Sequence, residues 1–402
     1  MPNSANKIFS SLLGLIIILL PTYQIRFSIF SIPLTLLEVL ILVIFTAWLI
    51  YSLSTKQTLK LPSFKISLIL FVVAGLVSLI VAPELSKALG IWKAYLIEPI
   101  LFYFVFINSV TSQALRKKIY YSLAILTSYI GLYAAFQYLT GFNIPNPWNT
   151  AIDYRAVSVF AYPNAVGLIL APIVAFLSGL VIWSKKIKKS EKIFFTVSLT
   201  LGILGILAAK TESALIALGA VIIVYLLFTK YRWLWLGSIL IIIGASLFVP
   251  PVANFAESKI FFQDISGDVR LTLWQGSWNL LKDRPIFGAG LASFQEMYTD
   301  YKLTKHTEFL VYPHNIFLNW WIELGLLGLM ALLSTLITYA KNIANLIRKK
   351  DPLAISLLGV LVTIIICGLV DVPYFKNDLA LLFWLWLGLN TLLYLNKKNS
   401  QG

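Results

Sequence analysis

With a single cysteine, Cys367, and two histidines in 402 residues, the chain has no thiol pair for an intrachain disulfide. It also lacks the ligands for a multi-thiolate zinc cluster or a histidine-rich metal site. Charge is scarce as well: 12% of residues are Asp, Glu, Lys or Arg, against 59% hydrophobic, too little for the polar shell of a water-soluble enzyme. The stretch PIFGAGLASF offers Gly288 and Gly290 without the third glycine, the lysine or the preceding strand of a nucleotide site. No nucleophile elbow is present, so hydrolysis through an acyl-enzyme has little support.

What the chain does have is long apolar runs, near 8–21, 30–52, 65–81, 93–108, 118–138, 165–183, 193–209, 213–229, 232–250, 315–340, 353–370 and 379–395. Several approach the roughly 20 residues a helix needs to cross a bilayer, whereas the first and fourth are short. The 12 Trp, 19 Tyr and 26 Phe suit helix ends that repeatedly meet headgroups. These features predict an all-α, polytopic integral membrane protein: one membrane domain over 1–402, with about twelve transmembrane helices. The first run is followed at once by another and has no small-residue cleavage site, so it is expected to be a retained helix and not a signal peptide.

The formal charge of +15 raises the question of a nucleic-acid partner. With the N-terminus placed in the cytoplasm, every inward segment carries Lys or Arg, and the clusters at 116–118, 185–192 and 348–350 share one side, as the positive-inside rule expects. The excess charge therefore sets orientation and contact with membrane lipids, with both termini cytoplasmic, and no nucleic acid is called for. The segments 22–29, 82–92, 139–164, 210–212, 251–314 and 371–378 are then exported. The longest, 251–314, is expected to form a partly helical cap. Within it Arg270, Trp274 and Trp278 recur every four residues on one helical face, which Asp283 to Pro285 ends. That face is either an interfacial aromatic belt with an arginine rim or a substrate-facing arginine backed by aromatic packing. The turn at Gly288 and Gly290 is either a flexible link or a point of close backbone approach to an oligosaccharide or diphosphate.

The exported segments and adjacent helix ends gather Arg155, Arg270, Arg284 and His314 with Tyr154, Tyr162, Asn164, Lys210, Glu212, Tyr312, Asn315, Glu323 and Asp371. Arginines lining one crevice hold a diphosphate through their planar forks and stabilise its developing charge, and a neutral histidine removes a proton from an attacking hydroxyl. The combination suits transfer from a diphosphate-linked donor with no metal and no cofactor. Each residue also has a plainer reading. His314, between Pro313 and Asn315, marks a helix start. Residues 314, 318, 321, 325 and 328 share a stripe on which Gly325 and Gly328 permit close helix packing. Glu323 either faces the crevice or makes a buried polar contact, and Lys210 with Glu212 forms either a surface ion pair or a cation near the diphosphate. Asp371 either satisfies loop amides or joins the crevice. Glu98, before Pro99 in an apolar run, is either an internally paired group or part of a channel.

Three stretches, RAVSVFAYPNAVGLIL at 155–170, RLTLWQGSWNLLKDRPIFGAGLASF at 270–294 and PHNIFLNWWIELGLLGL at 313–329, in this order within 155–329, resemble the O-antigen ligase and polymerase family of bacterial glycan assembly. The resemblance implies an inverting membrane glycosyltransferase of the bacterial inner (cytoplasmic) membrane, with its active site on the exported face. Its donor would be an undecaprenyl-diphosphate-linked oligosaccharide or polysaccharide, and its acceptor a lipid or glycan hydroxyl. It further implies that His314 activates the acceptor and that Arg270 binds the donor diphosphate. A second family arginine follows a Thr-x-Ser or Thr-x-Thr pattern; here Thr211-Glu212-Ser213 is followed by Ala214, a departure that implies a divergent polymerase or ligase, compensation by Lys210 or Arg155, or lost activity. Repeat-unit polymerisation of O-antigen, capsule or exopolysaccharide, and transport of a polyisoprenyl lipid or glycan, are the competing functions.

Overall fold

A computed structural model describes residues 4–30, 32–151, 153–185, 187–246, 248–305 and 310–399. Helix α1 (Ser4–Ile18) leads through a short antiparallel hairpin, β1 (Arg26–Ile29) with β2 (Ile32–Thr35), into α2 (Leu36–Ser54). A capping box starts α2: the Glu38 amide donates to the Thr35 hydroxyl and the Thr35 amide to the Glu38 carboxylate. After α3 (Lys65–Val81), α4 (Leu85–Ile91), a π-helical turn (Trp92–Ile97) and α5 (Glu98–Ser109) run as one rod. Buried Glu98 lies where that turn meets α5, and its carboxylate has no hydrogen-bond partner among the described residues, so the internal pairing expected of it is not made by hydrogen bonds.

Helices α6 (Gln113–Thr140), α7 (Pro163–Trp183), α8 (Lys189–Ala208), α9 (Glu212–Leu227) and α10 (Arg232–Ser246) follow. The stretch expected to form a cap contains α11 (Pro250–Ile260), α12 (Ile265–Asp283) and α13 (Phe294–Tyr298), and residues 306–309 of it lie outside the described residues. The chain closes with α14 (Ile316–Arg348), α15 (Leu353–Val370) and α16 (Asn377–Asn399). Helix α12 ends at Asp283, where the sequence stops it.

The helices are those of a multi-pass membrane protein, and fewer of them than the expected twelve have the length of a span. Among the described residues eight helices are long and apolar enough to cross a membrane, or nine if the bent pair α10 and α11 is one span. The windows at 8–21, 65–81 and 213–229 become helices of 15, 17 and 16 residues. At 1.5 Å per residue these are about 22–26 Å long, short of a hydrocarbon core of about 30 Å. The window at 232–250 is ended by Pro250 and Pro251, which open a new helix.

Helices α7 and α16 are the most enclosed, with little left to face lipid. Where α6 crosses α8 only glycine fits: a Cβ on Gly131 would lie 2.2 Å from the Leu201 carbonyl oxygen. Polar side chains tie helices together deeper in the bundle, Asn342 of α14 donating to Asn390 of α16 at 2.7 Å and Tyr103 of α5 pairing with Thr391 at 2.9 Å. The basic clusters meet at one end, where Lys117 pairs with Glu191 at 2.8 Å and Lys349 donates to the Lys397 carbonyl. Helix α6 starts there and delivers its C-terminus to the opposite end, where the candidate site residues collect.

Helix α14 is broken at Gly325, whose φ of 67° and ψ of −172° lie outside any helix. Segment 286–289 approaches the break: the Ala289 amide donates to the Ile322 carbonyl at 2.7 Å and the Leu326 amide to the Ile286 carbonyl at 2.8 Å. A Cβ on Gly325 would lie 2.6 Å from the Ile286 oxygen, and one on Gly288 2.3 Å from the Ile322 oxygen. The backbone approach considered at Gly288 is therefore made by the chain's own α14, and the stripe drawn through 325 and 328 is not continuous. Gly325→Ala combines a disfavoured backbone with this collision, so it is expected to destabilise the fold by about 1–3 kcal/mol, read as an earlier thermal unfolding transition in detergent.

Candidate active site

The site begins with the last residue before α14. Asn315 caps that helix, accepting from the Phe317 and Leu318 amides at 3.0 and 3.1 Å, and its side-chain amide donates to the Leu369 carbonyl at 3.0 Å. This fixes the PHN corner against the end of α15. His314 sits in the left-handed region, φ 49°, with Tyr312 packed on its ring at 4.8 Å. Its Nδ1 lies 3.5 Å from Oδ1 of buried Asp371. That is an ion-pair distance and not a hydrogen bond, and Nδ1 has no hydrogen-bond partner among the described residues.

Asp371 caps α15 and is held from three sides. Oδ1 accepts from the Val372 amide at 2.8 Å, and Oδ2 from Asn164 Nδ2 at 3.1 Å. Asn164, in the first turn of α7, accepts in turn from Arg155 Nη2 at 3.0 Å. A chain of contacts thus runs Arg155, Asn164, Asp371, His314. Arg270 enters beside it from α12, its Nε donating to the Val370 carbonyl at 2.9 Å, the residue before Asp371. Helix α12 is fastened to the histidine corner by Trp274, whose indole donates to the Pro313 carbonyl at 3.0 Å. The Arg270 and Trp274 face thus reaches the site. Trp278, one turn on, packs edge-on against Trp321 of α14.

Burial alone would raise the Asp371 carboxyl, but His314, the Val372 amide and Arg270 together bring it below its ordinary value. Burial pulls Arg155 down; Asp153 and Glu212 oppose this, and the Arg270 charge adds to it, so the two guanidiniums feel one another. Arginine remains charged throughout. Burial raises both the Tyr162 and Tyr312 phenols. Because Asp371 is depressed in the folded state, its stabilising contribution is complete above the unfolded value of about 3.9 and fades as pH falls through the folded value. Acid unfolding followed by circular dichroism should therefore show a limb below about pH 4 that Asp371→Asn makes shallower.

The structure brings together His314, Asp371, Asn164, Arg155, Arg270, Asn315 and Tyr162. The other candidates are engaged elsewhere. Lys210, exposed and left-handed at φ 48°, sits over the Tyr138 ring at 5.6 Å. Glu212 pairs with Lys259 of α11 at 2.8 Å. Arg284 is exposed at the end of α12. Glu323 is buried, and its carboxylate accepts the Ala292 amide at 2.7 Å, which holds the 286–294 loop to α14. Ala214 is fully buried where α9 meets α7: a Cβ on Gly167 would lie 2.9 Å from the Ala214 methyl.

One cation was missed. Lys376 stands within 4.8–5.1 Å of the Tyr23, Phe160 and Tyr162 rings and 3.5 Å from buried Asp378. It lies in the same short 371–378 segment as Asp371, and that placement was the available signal.

Residues 197–333 match the family described as O-antigen ligase. The matched stretch runs from α8 into α14, so it contains Arg270 and His314 and excludes Arg155, Asn164 and Asp371. Two proteins named as polysaccharide ligases are similar to part of the chain. That of Rickettsia conorii is 32% identical over 143 residues, which cover 33% of this chain and 34% of the relative. That of Rickettsia prowazekii is 32% identical over 142 residues, 32% of this chain and 35% of the relative. The chain spans about a third of the length of the curated relatives it matches. Residues 197–333 are thus similar to the O-antigen ligase family, and residues on either side of that stretch complete the cluster around His314.

Proposed function

We propose that the protein is a membrane glycosyltransferase of the O-antigen ligase kind. It moves a saccharide from undecaprenyl diphosphate to a hydroxyl of a lipid or glycan acceptor, at the exported face of a bacterial cytoplasmic membrane. The observation that carries this reading is the contact chain from Arg155 through Asn164 and Asp371 to His314, with Arg270 anchored one residue away. His314 Nε2 takes the proton of the acceptor hydroxyl as its oxygen bonds to the anomeric carbon from the face opposite the leaving group. The bond from that carbon to the diphosphate oxygen breaks, and its electron pair leaves with undecaprenyl diphosphate. Attack from the opposite face inverts the configuration.

Asp371 holds the imidazole in the tautomer that leaves Nε2 basic and stabilises the imidazolium that forms. Arg270 and Arg155 meet the charge developing on the diphosphate, the work a divalent ion does elsewhere. Arg155 thereby takes the place of the arginine that Ala214 does not supply. The basic clusters at the opposite end of the bundle support the orientation, since cytoplasmic loops collect Lys and Arg.

The test supplies purified protein in vesicles with undecaprenyl-diphosphate-linked saccharide and a lipid A core acceptor. A new glycosidic bond on lipid A core marks ligation, and a ladder growing on undecaprenyl diphosphate marks polymerisation. Movement of the donor across the vesicle without any new bond would make the protein a transporter and overturn the proposal.

A further inference from the structure

A cleft of about 360 Å³ lies at the site end of the bundle, separate from the His314 cluster. Tyr133 of α6, Asn143 and Pro145 of the following loop, and Ser158 and Phe160 of the segment leading to α7 line it. Its walls are held in place by one buried side chain, Gln137, all of whose hydrogen-bonding capacity is spent on them. Nε2 donates to the Asn143 and Ser158 carbonyls at 3.2 and 3.1 Å, and Oε1 accepts from the Val157 and Ser158 amides at 3.1 and 2.6 Å. Asn143 and Ser158 are both left-handed, at φ 53°, and the Ser158 hydroxyl is tied to the Ile130 carbonyl at 2.8 Å. The cleft is a built cavity and not a gap between mobile loops.

We infer that this cleft is a subsite for the saccharide portion of the substrate, beyond the sugar that reacts. The inference rests on the glycosyl-transfer reading above and extends it to sugars distant from the bond made. Its size falls in the range of small-ligand sites, about 300–1,000 Å³. No lining residue is charged, so the diphosphate belongs with the arginines and a neutral ligand belongs here. The Tyr133 ring beside the exposed Asn143 carboxamide suits a pyranose, whose C–H face packs on the ring while its hydroxyls bond to the carboxamide and the phenol. The cleft and the reaction centre also lie on one segment of chain and are joined through packed side chains. Phe160 forms one wall and packs under Lys376, which also covers Tyr162. Tyr162 lies beside Tyr312, which packs on His314. Asn143, Ser158 and Phe160 thus extend the same exported segment that supplies Arg155, Tyr162 and Asn164, and a chain of sugars leaving the reactive carbon runs along it.

Photo-crosslinking tests this directly. Tyr133 and, separately, Asn143 are replaced by p-benzoylphenylalanine, the producing cells are irradiated, and the adduct is read by mass spectrometry. A saccharide adduct at either position is the expected result; an acyl-lipid adduct, or none at both, overturns the proposal. In parallel, undecaprenyl-diphosphate-linked saccharides from the same cells are separated into one-repeat and multi-repeat pools. Tyr133→Ala is expected to raise KM for the multi-repeat pool about tenfold relative to the one-repeat pool, about 1.4 kcal/mol. Equal KM changes for both pools would reduce Tyr133 to a structural role. A saccharide adduct in a protein that transfers neither pool would sink the transferase reading and leave the subsite standing, so the two failures are distinguishable.

Discussion

Replacing His314 by asparagine should lower glycan transfer by about 10²–10⁴-fold, the usual contribution of a positioned general base, while donor binding changes little. Asparagine is the informative replacement because His314 lies in the left-handed backbone region, which asparagine tolerates better than most residues. Loss of activity then reports lost proton transfer and not a rebuilt PHN corner. Asp371 acts through His314, so Asp371→Asn in the His314→Asn background should cost far less than it does alone. Initial rates of transfer from lipid-linked donor, with circular dichroism to verify folding, decide the matter. Wild-type rates in His314→Asn would remove the imidazole from the mechanism.

Arg270→Ala should lower kcat by about 10²–10³-fold, the cost of removing one preorganised group from a site where charge develops. Arg270 Nε is held by the Val370 carbonyl, and Nη1 reaches the Ser266 carbonyl only at 3.4 Å, which leaves the end of the fork for the diphosphate. Arg270→Lys restores charge without the fork, so partial recovery is expected. Steady-state kinetics with saturating acceptor test this, and a change confined to acceptor KM would place Arg270 on the wrong substrate.

Much of this arrangement is legible along the chain because it is local. Apolar runs became helices, and the four-residue spacing of Arg270, Trp274 and Trp278 became one face of α12. The three short windows had the composition of a span without its length, and apolar content alone hides that difference. Longer-range contacts were not legible. Lys210 and Glu212 look like a pair in sequence, yet they lie on either side of a helix start, and Glu212 meets Lys259 across the loop instead. Asp371 and His314 meet only because α14 begins where α15 ends, an approach set by helix packing. Glu323 reads as a crevice residue only on an unbroken helix, and the break at Gly325 turns this stretch of α14 toward the 286–294 loop.

That break also bears on how substrates enter. The helix gives up part of its own hydrogen bonding at Gly325, and segment 286–289 supplies replacements at both edges of the gap. Swinging the segment outward would strand a carbonyl and an amide in buried surroundings, at about 1–3 kcal/mol each. The 286–294 stretch is therefore pinned to α14 through its backbone. The other flank of His314 is held only through side chains, Asn164 to Asp371 and Asn315 to the Leu369 carbonyl, which can rotate away where the backbone bonds of the 286–289 segment cannot.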